Sequence, residues 1–187
     1  MNYANKQDRF DHPLGKKKGT GTFTQIPNGL PGLETRMPSL FCHGVLSGRL
    51  SVQKFVELTA SNPAKLYGLS GRKGAIAPGY DADLVIWYPT PEQAAKSKTG
   101  TGTQCSVMTP FTLRNEMLHH DIDYTPFEGM QFTNWPRYTI LRGKIVWDRD
   151  GDGILGAKDG AYLSRGRSTL SRPRGVFVNE FNPYETD

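Results

Sequence analysis

The sequence predicts an incomplete α/β fold, and three observations carry that reading. Apolar residues between Ser51 and Leu69 follow helical spacing, and after residue 74 the pattern changes to short extended runs. The helices also have no alternating strands of their own to pack against. Helices with a single apolar stripe normally cover a sheet, so this layout implies a sheet supplied by other sequence.

Each element has a local cause. Residues 1–25 hold Asn, Asp, Lys, Gly and Thr with little apolar periodicity and read as a long loop. The segment Ile26-Pro27-Asn28-Gly29-Leu30-Pro31-Gly32 is dense turn chemistry, since Asn-Gly admits positive φ and the prolines fix the chain on each side. From Glu34 to Val45, Met37, Leu40, Phe41 and Val45 recur at helical spacing, with Pro38 breaking the run near its start. Ser51 is an N-cap for a helix whose Val52, Phe55, Val56 and Thr59 form one packed stripe. Asn62 caps a further short helix with Pro63 at its first position. Leu66, Tyr67 and Leu69 face inward, and Gly68 or Gly71 ends it.

Beyond residue 74 the chain reads as strand. Pro78-Gly79 suits a type II turn, and Asp81-Ala82-Asp83 leads into the buried run Leu84–Trp87. Residues 89–104 read as an exposed insertion. Tyr138–Leu141 and Lys144–Trp147 form a hairpin across Arg142-Gly143, and residues 160–187 read as an extended tail.

A chain of 187 residues suffices for one sizeable domain or for pieces of two. The run Leu84–Trp87 falls far short of the ~20 apolar residues that a membrane-spanning helix needs. Residues 1–20 are polar and basic, without the apolar stretch of a secretory signal. Cys42 and Cys105 have no metal-like spacing and read as reduced thiols of a cytoplasmic protein. The net charge of +5 is concentrated in Lys16–Lys18 and in Arg165, Arg167, Arg172 and Arg174. No recognition helix or RNA-binding signature accompanies these clusters, so they read as solvated loop and tail rather than a nucleic-acid surface.

Three clusters invite a metal reading. Asp148, Asp150, Asp152 and Asp159, with Gly153 between, have the spacing of a calcium loop. Its entry is a strand where an EF-hand has a helix, so it reads as a polar loop after a hairpin. His119-His120-Asp121 with Asp123 places adjacent histidines on opposite faces of an extended chain, and Asp11-His12 is an isolated pair in a loop. No GxSxG, HExxH or phosphate-binding glycine motif occurs. From local chemistry alone the chain would not be identified as an enzyme.

Several blocks in order resemble the dihydropyrimidinase/hydantoinase group of cyclic amidohydrolases. They are Ile26–Pro38, Gly48-Arg49-Leu50-Ser51, Asn62–Trp87, Asp123–Gly129 and Asn134–Thr139, the last similar to fungal forms. The resemblance implies the C-terminal portion of such an enzyme. Residues 1–73 would then be the last loop and helices of a metal-dependent (β/α)8 barrel, 74–159 part of a composite β-sandwich domain, and 160–187 an extended tail. It implies hydrolysis of the C–N bond of a dihydropyrimidine or hydantoin ring by a hydroxide held between two zinc ions, with an Asp moving the proton. By family order the zinc ligands and that Asp precede residue 1, so the isolated chain is expected to be inactive. Asn28 alone falls on a family substrate position, where it hydrogen-bonds the ring amide. The family is tetrameric and cytoplasmic, and it includes non-catalytic, assembly-forming relatives as the alternative role. With its barrel-facing stripe exposed, the isolated chain is also expected to be poorly soluble.

Overall fold

A computed structural model of the chain describes residues 10–96, 106–156 and 160–170. Gly100–Gly102, Cys105, Asp159, Arg172 and Arg174 lie outside them.

The helical part begins with α1 (Leu33–Leu40), which widens by one residue per turn over Phe41–Val45. Pro38 does not break it as the sequence reading expected; it sits inside α1, buried with Thr35. The next helix starts as predicted, with Ser51 Oγ accepting from Lys54 N at 3.1 Å. It runs from α2 (Val52–Val56) through a second widened turn, Glu57–Ser61, into α3 (Asn62–Leu66) without interruption. Asn62 is therefore no cap. Its backbone is helical and its side chain donates to Glu57 Oε1 at 3.3 Å. The widened turn just ahead of Pro63 admits a residue that has no N–H to give the helix.

Gly68 ends α3 at φ 66°. Leu69 N donates to Ala64 O at 2.7 Å and Gly68 N to Lys65 O at 3.3 Å, the paired bonds of a Schellman cap. The segment 160–170 returns across this helix end. Gly166 N donates to Gly68 O at 2.8 Å and Thr169 N to Lys65 O at 3.0 Å. A Cβ on Gly68 would lie 2.0 Å from Gly166 O, so only glycine allows that approach.

The Pro78-Gly79 turn forms as expected, Gly79 at φ 86° and Tyr80 N bonded to Ala77 O at 3.1 Å. Arg72 and Lys73 clip Asp81 at 2.9 and 2.8 Å and set the chain into β1 (Leu84–Trp87). After β1 comes a short α4 (Pro91–Lys96) within the stretch read as an insertion. The ribbon β2 (Phe111–Thr112) and β3 (Gln131–Phe132) follows. Strands β4 (Pro136–Leu141), β5 (Lys144–Asp148) and β6 (Gly153–Ile154) join β1 in an antiparallel sheet of order β1-β4-β5-β6. The predicted hairpin forms, Leu141 opposite Lys144 with Arg142 and Gly143 both at positive φ, and its register shifts between Thr139 and Ile140.

Two burial expectations need correction. The helices do find a strand within the chain: Phe55, 5% exposed, sits edge-on to Phe41 and Trp87, and Phe41 stacks on Trp87 of β1 at 4.1 Å. The rest of the expected packing is absent among the described residues. Leu66 and Tyr67, read as facing inward, are exposed, and in β1 Val85 and Ile86 are 44% and 46% exposed, whereas Val52 and Val56 are exposed as expected for a barrel-facing stripe. Periodicity marks the face suited to packing, but Ala64 is the α3 residue these elements bury, against Gly74. The main core lies elsewhere, in Cys42, Leu113, Phe132 and Trp135 with Phe111 stacked on Phe132.

Candidate functional site

The segment from Ile26 to Gly32 forms an exposed loop leading into α1. Gly29 has φ 90°, as the Asn-Gly pair predicts, and Asn28 is exposed. A short 3₁₀ turn, Lys16–Gly19, lies against the loop's start. A Cβ on Gly19 would fall 2.0 Å from Ile26 Cγ1. From that turn Lys16 Nζ donates to the carbonyls of Pro27 and Gly29, the latter at 2.5 Å.

A cavity of about 460 Å³ opens beside this loop, walled by 29–34 on one side and by His119, His120, Ile122 and Tyr124 on the other. Glu34 joins the walls: its Oε2 accepts from His119 N at 2.8 Å and its Oε1 meets His119 Nδ1 at 2.9 Å. His120 Nδ1 accepts from Ile122 N at 3.1 Å, while its buried Nε2 has no hydrogen-bond partner among the described residues. Asp123 accepts from Phe10 N and Asp11 N at 2.7 and 3.1 Å, tying the start of the described chain to the same wall. The lining is mostly apolar with a few polar groups, the composition of a small-molecule cleft.

The described residues do not make a zinc centre. Among the described residues no three His, Cys, Asp or Glu side chains converge. His12 Nδ1 accepts from Leu14 N, and His43 packs edge-on to Phe132. His119 is held by Glu34, and Asp11 pairs with Lys17. The Asp148 loop is a hairpin turn: Asp148 Oδ1 accepts from Asp150 N and Gly151 N at 3.1 and 3.0 Å and pairs with Arg137. Asp150 pairs with Arg137 at 2.8 Å and accepts from the Tyr88 hydroxyl. Burial, with help from Asp150, pushes the Tyr88 hydroxyl up to about 12. Burial also lowers Arg149, whose guanidinium lies over the Phe111 and Trp135 rings at 4.9 and 5.2 Å.

Sequence reasoning singled out Asn28 and missed Lys16, Glu34 and Asn134. Lys16 was hidden in a run of three lysines. Asn134 is buried and joins three segments: its Nδ2 donates to Tyr88 O at 3.0 Å, its Oδ1 accepts from Trp135 N at 2.8 Å, and its carbonyl accepts from Cys42 Sγ at 3.1 Å. Adjacency in the chain gives no signal for such contacts.

Residues 15–146 match the model of the amidohydrolase family, and the chain belongs to that family. It is 38% identical over 161 residues to the D-hydantoinase of Geobacillus stearothermophilus, covering 86% of this chain and 30% of that protein. It is 37% identical over 153 residues to the D-phenylhydantoinase of Escherichia coli O1:K1, covering 82% and 28%. Among solved structures, the dihydropyrimidinase of Brevibacillus agri superposes with a TM-score of 0.66 at 35% identity, covering 92% of this chain and 31% of that one. The chain thus has the α/β architecture of part of the hydantoinase fold, and it spans under a third of the length of the relatives it matches.

Proposed function

We propose that this chain is the C-terminal portion of a hydantoinase- or dihydropyrimidinase-type hydrolase that opens a cyclic amide at its C–N bond. The observation that carries the reading is the 38% identity to a D-hydantoinase over 161 residues, a stretch that includes most of the chain. In this reading residues 1–73 complete the barrel, 74–159 contribute to the composite β-domain, and 160–187 form a tail suited to contacts within a cytoplasmic tetramer. Asn28 binds the ring amide from the loop beside the 460 Å³ cavity. A peptide-like edge needs a donor and an acceptor held together, and the Asn28 carboxamide and its flanking backbone offer both. The zinc centre falls to sequence other than these residues.

The test is a chimera in which this chain replaces the matching segment of the Geobacillus D-hydantoinase. The chimera opens hydantoin or dihydrouracil, and the 187-residue chain alone does not. Zinc-dependent ring opening by the chain alone overturns the assignment of the metal centre. A folded, metal-loaded chimera with no activity on either ring overturns the enzymatic reading and favours a non-catalytic assembly role.

A further inference from the structure

We propose that Lys16 is a positioning residue for Asn28, a role that rests on the substrate reading of Asn28 given above. Its ammonium group donates to the carbonyl oxygens of Pro27 and Gly29, the residues on either side of Asn28. Among the described residues these are the hydrogen bonds that hold 27–31. Pro27 and Pro31 have no N–H to offer, and Gly29, at φ 90°, is the freest residue of the loop. The segment therefore depends on a donor from outside, and a lysine brings three donors with a full charge, which strengthens each bond.

The neighbouring lysines do something else. Lys17 turns back to Asp11 and lies over the Phe10 ring at 5.9 Å, and Lys18 is exposed. Lys16 is half-buried, and its turn is pressed on Ile26 through Gly19, which fixes the point from which it reaches the loop. That turn is anchored in its own right by Lys17 N to Phe10 O at 3.2 Å and by the bonds from Phe10 N and Asp11 N to Asp123. Both cavity walls are thereby connected through one short segment: Asp123 holds 10–11, and Lys16 holds 27–29. A shift of about 1 Å in a substrate-contact group is enough to cost binding or rate heavily, so the staple sets how well Asn28 meets its ligand.

The test uses Lys16→Met, Lys16→Arg, Lys18→Met and Asn28→Ala in the hydantoinase chimera, with amide order parameters from NMR relaxation over residues 28–30 and KM and kcat for hydantoin. Lys16→Met lowers the amide order parameters at Gly29 and Leu30 and raises KM about tenfold, with kcat changed less than about threefold. Lys16→Arg recovers most of both effects, and Lys18→Met changes neither. Combined with Asn28→Ala, Lys16→Met adds no further rise in KM, because both act through one contact. Asn28→Ala raising KM while Lys16→Met does not overturns this proposal alone. Unchanged KM in Asn28→Ala removes the substrate reading and the proposal with it. If the chimera fails to fold, order parameters in the 187-residue chain decide: unaltered values at Gly29 and Leu30 in Lys16→Met overturn the staple.

Discussion

Replacing Asn134 by alanine removes two side-chain hydrogen bonds from a place that water does not reach. The residue is 3% exposed, and the groups it serves, Tyr88 O and Trp135 N, belong to residues that are themselves buried. Leaving one buried donor or acceptor unpaired costs about 1.5 kcal/mol, within the range of about 1–3 kcal/mol for such groups. Summed over the pair, the loss is about 3 kcal/mol. With a urea dependence of about 2 kcal/mol/M, the unfolding midpoint falls by about 1.5 M. Urea titration followed by tryptophan fluorescence measures this directly. Asn134→Asp provides an internal check: it keeps the acceptor for Trp135 N but faces an anion toward the Tyr88 carbonyl, so at pH 7 it destabilises more than alanine. A midpoint shift in Asn134→Ala below about 0.3 M, at unchanged slope, refutes the argument that this side chain ties the end of β1 to the segment that leads into β4.

Gly68→Ala puts a methyl group into the backbone of Gly166 and strains a positive φ. Amide exchange at Gly166 and Thr169 accelerates, and proteolysis within 160–170 quickens. Ser51→Ala removes the cap that receives Lys54 N and costs about 1 kcal/mol, seen as a matching loss in urea stability, while Ser51→Asp retains it. The Tyr88 hydroxyl is pushed up to about 12, above its ordinary value of 10, so absorbance titration finds a late ionisation that Tyr88→Phe removes. Since the unfolded chain releases that proton first, Tyr88 favours the fold below about pH 10, and this contribution is lost as pH rises from 10 to 12. Tyr88→Phe flattens that part of the stability profile.

What could be read from the sequence was governed by range. Ser51 as a cap, Pro78-Gly79 as a turn and Arg142-Gly143 as a hairpin corner each follow from chemistry within four residues, and all three formed. Asn62 misled because a cap signature beside a proline looks the same whether a helix begins there or passes through a widened turn. Leu66 and Tyr67 misled differently. Their spacing identifies a face able to pack, but periodicity carries no information on whether a partner lies in the same stretch of chain. At the candidate site the turn chemistry around Asn28 was visible, whereas Lys16 reaching Gly29 and Glu34 reaching His119, 85 residues away, depend on tertiary placement. The acidic loop shows the converse. Its ligand-like spacing was plain, but Oδ1 of Asp148 is occupied by the turn's own amides and Arg137.

The meeting of Gly68 with Gly166 is a joint made without side chains. What is recognised there is the shape of two bare backbones and the direction of one N–H, so the joint places few demands on the residues around it. The flanking positions, among them Arg165, Arg167 and Ser168, are exposed and free to diverge in charge and length while the seat stays the same. Such a segment can drift quickly in composition without drifting in position, provided Gly68 is kept.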